Sequence, residues 1–345
     1  MPFVTEAITG QSFEMSIHNK NHNLAPVALF VFKRPEHTKQ ALLALSANPE
    51  FFSSPLFIYC DGARSADDAG NVECTRELVR NLEHPAKTII EAESNRGLAE
   101  SVIAGVTDLV TRFGQVIVVE DDLVVSARFL CYMNAVLDIY RDSPQVMQVS
   151  AYMFPIPELA EKRETLFLPN ISSWGWATWS RAWKHFDADA KGWKSLLCSA
   201  NLRRRFNVNG AYDYSDMLLR QMSGDIDSWA IRWNWSVFRH GGLVSYPPVS
   251  FVKNIGFDGS GTHCRTDNFH GLSVSALSAE LAFATRIEIS AQDVHLVRGA
   301  LLAMSGSLPV RALKLMRNCL RRIRLKWLSA TSANDFVQSK LNRGE

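Results

Sequence analysis

Three consecutive acids, Glu120, Asp121 and Asp122, follow the apolar run QVIVV at 115–119. Neighbouring carboxylates repel one another, and burial makes the repulsion worse. A hard divalent cation such as Mn2+ or Mg2+ relieves the conflict through oxygen ligands, typically while keeping waters and bridging phosphates. The bland reading of the same residues is an exposed acidic turn capping the next helix. Asp61 closes a second apolar run, PLFIYC at 55–60. A carboxylate there can accept hydrogen bonds from a base or ribose, or can form a plain Asp-Gly turn with Gly62. The segment SNRGLAES at 94–101 sets Gly97 at the mouth of a helix whose free N–H groups suit an anion. Beside it, Arg96 could reach a phosphate or fold against the acids. The phosphate-loop pattern GxxxxGK[ST] is absent.

Eight of the nine tryptophans lie between Trp174 and Trp235. Within SSWGWATWSRAW at 172–183, Trp174, Trp176 and Trp179 could form an apolar wall for the C–H face of a sugar ring, with Gly175 allowing tight backbone packing. Large aromatics also dominate cores, so several of these belong inside. Asp225 and Asp227 precede Trp229 in DIDSWAIRWNW, where a carboxylate among aromatics can be tuned for proton abstraction or can serve a helix N-terminus. His263, in GFDGSGTHC at 256–264, is a candidate metal or phosphate contact.

Residues 26–32, 55–60, 87–91 and 115–119 read as short buried strands, with helices over 36–47, 71–82 and 126–140 and a further one opened by the turn at 94–101 and running to about Phe113. That alternation predicts an α/β fold, a mostly parallel sheet with helices on both faces. Ligands of such sheets bind at the carboxyl ends of the strands, where Lys33, Arg34, Asp61 and Glu120–Asp122 all fall. Residues 1–24 read as a polar leader and 245–270 as loops. An amphipathic helix is expected over 309–328, with seven Lys/Arg against an apolar stripe.

The 345 residues carry a net charge of +2, with 47% hydrophobic and 21% charged residues, which excludes disordered and fibrous classes. The charge is uneven. From Arg298 onward there are 10 Lys/Arg against 2 Asp/Glu, while the preceding body has 27 against 33. An acidic body argues against nucleic-acid binding; the basic tail suits an anionic membrane surface. Six scattered cysteines without a CxxC pair, and no apolar run of membrane-spanning length, lead to the expectation of a cytoplasmic protein, peripheral to the inner face of the membrane.

Taken in order, these residues resemble an inverting glycosyltransferase of the GT-A fold, most nearly the N-acetylglucosaminyltransferase I-like branch and its bacterial relatives. The resemblance covers about 25–265. It implies a nucleotide-sugar-binding half at 25–145, an acceptor and catalytic half at 146–270 and a helical extension at 271–345. It further implies that Asp122 in EDDL is the direct metal ligand, with Glu120 and Asp121 at the donor diphosphate. Arg34 of FKRPE meets the nucleotide, Asp61 the uridine, and Arg96 and Gly97 the phosphates. The segment WGWATW places Trp174, Gly175 and Trp176 near donor sugar and acceptor. Asp227, with Trp229, is the implied base, Asp225 its alternative, and His263 a loosely matching later residue. The activity implied is Mn2+-dependent transfer from a UDP-sugar to a glycan or lipid-linked acceptor in bacterial surface polysaccharide synthesis. Two competing readings stay open: a nucleotidyltransferase acting on sugar phosphates, and a non-catalytic carbohydrate-binding protein on the same scaffold.

Overall fold

The computed structural model describes residues 24–258, 281–304, 316–323 and 325. Four apolar segments form the parallel half of the sheet: β1 (Val27–Val31), β2 (Leu56–Cys60), β3 (Lys87–Glu91) and β4 (Gln115–Glu120). The helices between them are α1 (Pro35–Ser46), α2 (Ala66–Arg80) and α3 (Leu98–Phe113). Proline at the first turn starts α1 without losing a bond the helix needs. Asp67 and Asp68 favour the positive end of α2, which begins five residues before the periodicity suggested.

After β4 the chain forms β5 (Leu123–Val125), α4 (Phe129–Ile139), β6 (Val146–Ser150), α5 (Pro157–Ala160), β7 (Leu166–Leu168) and β8 (Trp176–Trp179). A helical stretch follows: α6 (Ser180–Trp183), α7 (Ser195–Cys198), α8 (Ala200–Phe206), α9 (Tyr214–Met222) and α10 (Trp229–Arg239). Then come β9 (Leu243–Tyr246), β10 (Val252–Asn254) and α11 (Ala291–Met304). The segment 245–270 thus holds strand as well as loop. Its strand residues are few and flanked by Pro and Ser, and β10 exists by pairing antiparallel with β5.

One eight-stranded sheet, in the order β3-β2-β1-β4-β8-β6-β9-β7, runs through both halves of the chain. The order reverses between β1 and β4, because β2 and β3 lie to one side of β1 and β4 to the other. Right-handed crossovers therefore place α1 and α2 on one face and α3 on the opposite one. The expected α/β, mostly parallel architecture is what forms, with β8 and β7 as its antiparallel members. A crevice opens at the strand ends beside the reversal.

A second anchor joins the halves. Trp233 of α10 is fully buried and its Nε1 donates to Gln148 Oε1 at 2.7 Å, tying α10 to β6. The extension also packs on the body: Val297 and Leu301 of α11 enter the core, and Lys162 pairs with Asp293. Among the described residues no helix is long and apolar enough to cross a membrane.

Candidate active site

The crevice collects the ends of β1, β2 and β4. Phe32, Lys33, Arg34, Asp61, Arg64, Glu120 and Asp121 line a cavity of about 90 Å³ there, with Leu98 and Ser101 of α3 on its other side. Lys33 pairs with Asp68 at 2.6 Å, and the Arg64 guanidinium stands 5.2 Å over the Phe32 ring.

At the centre is Arg34. Its Nη2 donates to Asp121 Oδ1 and, at 3.2 Å, to Asp122 Oδ2. Asp121 and Asp122 are buried, at 3% and 8% exposure, so this cation must lie close. It does not balance the site: three acids face one arginine. Burial first, then Asp122 and Asp121, push the Glu120 carboxyl well above its usual range, against the pull of Arg34. Burial likewise raises Asp121 to about 6, opposed by Arg34. A further positive charge is what the cluster lacks.

Gly256 is the residue the sequence reading missed. A Cβ there would stand 2.4 Å from Asp122 Oδ2 and 3.0 Å from Arg34 Nη1. Only glycine lets the backbone close over the acids. The Ile255 N–H donates to the Asp122 carbonyl at 2.8 Å, which seats this segment. The one cue in the sequence was a glycine in the loop-like run after β10.

Among the described residues no group of three or more His, Cys, Asp and Glu is arranged as a metal cage. The donor set nevertheless fits Mn2+ or Mg2+ held through one carboxylate, its other positions filled by water and phosphate oxygens. Asp122 offers that carboxylate, under a glycine that leaves its Oδ2 uncovered by any side chain of residue 256.

Asp61 does something other than the resemblance implied. Its Oδ1 accepts from the backbone N–H of Gly62 and of Arg96, both at 2.8 Å. Its Oδ2 accepts from Asn95 Nδ2 at 2.8 Å and the Gly97 N–H at 2.9 Å. A carboxylate has about four acceptor positions, and four donors fill them. Asp61 therefore ties the 95–97 turn to the end of β2 and has no lone pair left for a uridine. Arg96 enters this knot through its amide, and its side chain is exposed. Gly97, at φ 81°, turns the chain into α3.

Asp227 reaches the same neighbourhood. A methyl on Gly97 would stand 4.0 Å from its Oδ2. The side chain is 64% exposed and pairs with Arg232 at 3.0 Å. Asp225 is exposed in the turn after α9. Trp176 is fully buried and stacks 4.8 Å from Trp229, itself 3% exposed. Neither can show a face to a sugar, and both are core. Gly175, at φ 62°, is packed against Val252 and Phe129 and does not line the crevice. Trp174 is half-buried and meets Phe257 edge-on at 5.5 Å. His263 lies outside the described residues.

No family model matches the sequence, and no curated protein matches it. The solved structures similar to this chain at low identity include the following three. GalNAc-T7 with UDP, GalNAc and Mn2+ aligns with a TM-score of 0.41 and 8% identity over 68% of this chain and 44% of that one. The chain thus spans less than half the length of that protein. The mannosyltransferase PcManGT from Pyrobaculum calidifontis, in complex with GDP-Man and Mn2+, aligns with a TM-score of 0.36 and 13% identity over 87% and 84% of the two chains. Mouse xyloside xylosyltransferase 1, in its apo form, gives 0.33 and 10% over 64% and 83%.

Burial of Asp121, opposed by Arg34, sets a pH-dependent stability. Because the folded Asp121 holds its proton up to about pH 6, the folded chain binds more protons than the unfolded one from about pH 4 to 6. This group's contribution therefore falls as pH rises through that window. Arg34→Met, measured by urea unfolding in chelator, is expected to cost about 3–5 kcal/mol at neutral pH. The cost should shrink at about pH 5, where protonation of Asp121 removes part of the unpaired charge.

Proposed function

We propose that this chain is a metal-dependent glycosyltransferase that moves a sugar from a nucleotide-diphosphate donor to an acceptor hydroxyl with inversion. The observation that carries the reading is the under-neutralised cluster of Glu120, Asp121, Asp122 and Arg34 at the sheet's reversal, closed over by Gly256. On this reading the nucleoside sits among Phe32, Lys33, Arg64 and Leu98 at the ends of β1 and β2. UDP-N-acetylglucosamine is the first donor to test, in keeping with the family the sequence resembles.

The residues divide the work by charge. Departure of a nucleoside diphosphate builds negative charge on the leaving oxygens. A divalent cation held at Asp122 would neutralise that charge. Arg34 holds Asp121 and Asp122 in place and adds a fixed positive charge. On this reading Asp227, whose Oδ2 lies near Gly97, takes the proton of the acceptor hydroxyl as it attacks the far face of the anomeric carbon. Its exposure lets the acceptor reach it, and Arg232 orients the carboxylate. A single displacement of this kind inverts the anomeric centre.

Two other readings fit less well. A nucleotidyltransferase usually carries a glycine-rich loop after its first strand, but the residues following β1 are FKRPEHT. A non-catalytic sugar binder has no use for two buried acids and a third beside them. We also propose that the basic tail rests on an anionic membrane. In the helix at 316–323, Met316, Leu320 and Ile323 are 58–62% exposed. Asn318 and Arg321 fasten its other side to Asp213 and Asp216 of the body. Arg317 and Arg322 flank the apolar residues, as lipid headgroups would require.

UDP is expected to raise the thermal midpoint only with Mn2+, and Asp122→Ala to abolish that rise. Asp227→Asn should keep the rise while lowering turnover about 100-fold or more, in a screen of nucleotide sugars for Mn2+-dependent transfer or donor hydrolysis. UDP binding without metal would refute the reading, as would normal turnover by both Asp227→Asn and Asp225→Asn. For the tail, Leu320→Asp should release the protein from phosphatidylglycerol vesicles; equal sedimentation with phosphatidylcholine vesicles would rule out an electrostatic anchor.

A further inference from the structure

A second and larger cavity, of about 230 Å³, lies on the far side of Trp174 from the acids. It is formed by residues 170–174 after β7, the first turns of α9 and α10, and the end of α11. An engineered cavity of about 150 Å³ takes benzene, so this one has room for a ring with a substituent. None of its lining residues is charged. A phosphate, carboxylate or ammonium would be left without a counter-charge there. Tyr152, Trp174, Tyr214 and Tyr246 supply aromatic wall, which suits the C–H faces of a neutral sugar. Tyr212 and Met304, the most exposed of the large lining residues at 36% and 38%, stand at the rim.

Two asparagines in the lining, Asn170 and Asn234, are 4% and 2% exposed. Asn234 Oδ1 accepts from the Ile171 N–H at 3.0 Å, which fixes that amide's orientation. Its Nδ2 has no hydrogen-bond partner among the described residues. Asn170 Nδ2 points to the Tyr246 hydroxyl at 3.5 Å, and that hydroxyl donates to the Asn170 carbonyl at 3.0 Å. Asn170 Oδ1 has no partner either. A buried polar atom left so costs about 1–3 kcal/mol, and each one calls for an explanation. Here the two are complementary: one waiting acceptor and one waiting donor.

The geometry points to a binding site for an acetamido sugar of the acceptor. Both atoms are covered by their neighbours in this structure; a side-chain rotation that turns them to the cavity would let an acetamido group give its N–H to Asn170 Oδ1 and its C=O to Asn234 Nδ2, with its methyl on the aromatic wall. The assignment to acceptor rather than donor rests on the proposed function, which puts the nucleotide at the strand ends. The two sites are one aromatic layer apart. Trp174 meets both Tyr152, at 4.5 Å, and Phe257, at 5.5 Å, and Phe257 follows the Gly256 that covers Asp122.

The test uses the full chain without nucleotide or metal. Methyl N-acetyl-β-glucosaminide is compared with methyl β-glucoside by saturation-transfer NMR and titration calorimetry. The acetamido methyl should receive the strongest saturation, and the glucoside should bind about tenfold more weakly or worse. Asn234→Asp keeps the acceptor for Ile171 while replacing the waiting donor, and should remove the preference. Met304→Trp, at the exposed rim, narrows the mouth without disturbing a buried contact and should weaken binding whatever Asn234→Asp does to folding. Both variants should retain the Mn2+-dependent shift with UDP. Equal binding of the two glycosides would mean that a hydroxyl or water satisfies the asparagines, and would overturn the proposal. No binding of either at millimolar concentration, or binding untouched by both variants, would overturn it too. Glycoside binding without any UDP response would instead sink the glycosyltransferase reading and leave the cavity's preference standing.

Discussion

The pairing of Arg34 with Asp121 and Asp122 is the constraint around which the site is arranged. Two buried carboxylates cannot stand at the end of β4 without a nearby cation. Arg34 can serve because β1 and β4 are hydrogen-bonded neighbours whose ends coincide: Phe30 pairs with Glu120. The switch in strand order is thus more than a place where a crevice happens to open. It brings the basic end of one strand beside the acidic end of another. One arginine against three acids leaves charge unbalanced, which is the imbalance that the proposed divalent cation would offset.

The Asp61 knot does a different kind of work at the neighbouring strand end. By accepting four hydrogen bonds it holds the 95–97 turn, sets the direction of α3 and keeps Gly97 where Asp227 approaches. Removing that carboxylate would leave three backbone N–H groups without an acceptor and take one of two acceptors from the Asn95 amide. An acid at a strand end can therefore shape a site without touching what binds there.

What the sequence disclosed follows from which signals are local. Strands β1 to β4 were legible because each is a short apolar run closed by charged or turn-forming residues, and a buried parallel strand has that pattern by necessity. The acids of 120–122 stood out because such residues after a buried run conflict with one another. Asp61 stayed open between turn and nucleotide contact because the two kinds of acid look alike until their hydrogen bonds are seen. Trp176 was offered to a sugar site by the aromatic run and the WGWATW resemblance, and Trp229 by the resemblance alone, yet stacking in the core satisfies both residues. Gly256 could not be found by spacing: its importance comes from β10 lying against β5, a pairing between segments more than a hundred residues apart. Asn170 and Asn234 are ordinary until the cavity between them and their unpartnered atoms are known.

The halves of the molecule divide the chemistry by polarity. At the ends of β1, β2 and β4, charge is concentrated and only partly neutralised. Beyond Trp174 the lining is uncharged, and its polar atoms are amides and hydroxyls. The layer between them, Trp174 against Phe257 and Tyr152, is held by β8 on one side and by the β5–β10 pair on the other. β8 runs antiparallel to β4, so the loop that leads into it arrives beside the acids at the end of β4. That reversal of direction lets an aromatic segment from the second half border the acids of the first. In a wholly parallel sheet, a strand at that position would be entered from the opposite edge, and Trp174 would lie a strand length away from Asp122. Proximity of the charged site and the neutral one therefore comes from strand direction, with the side chains only refining it.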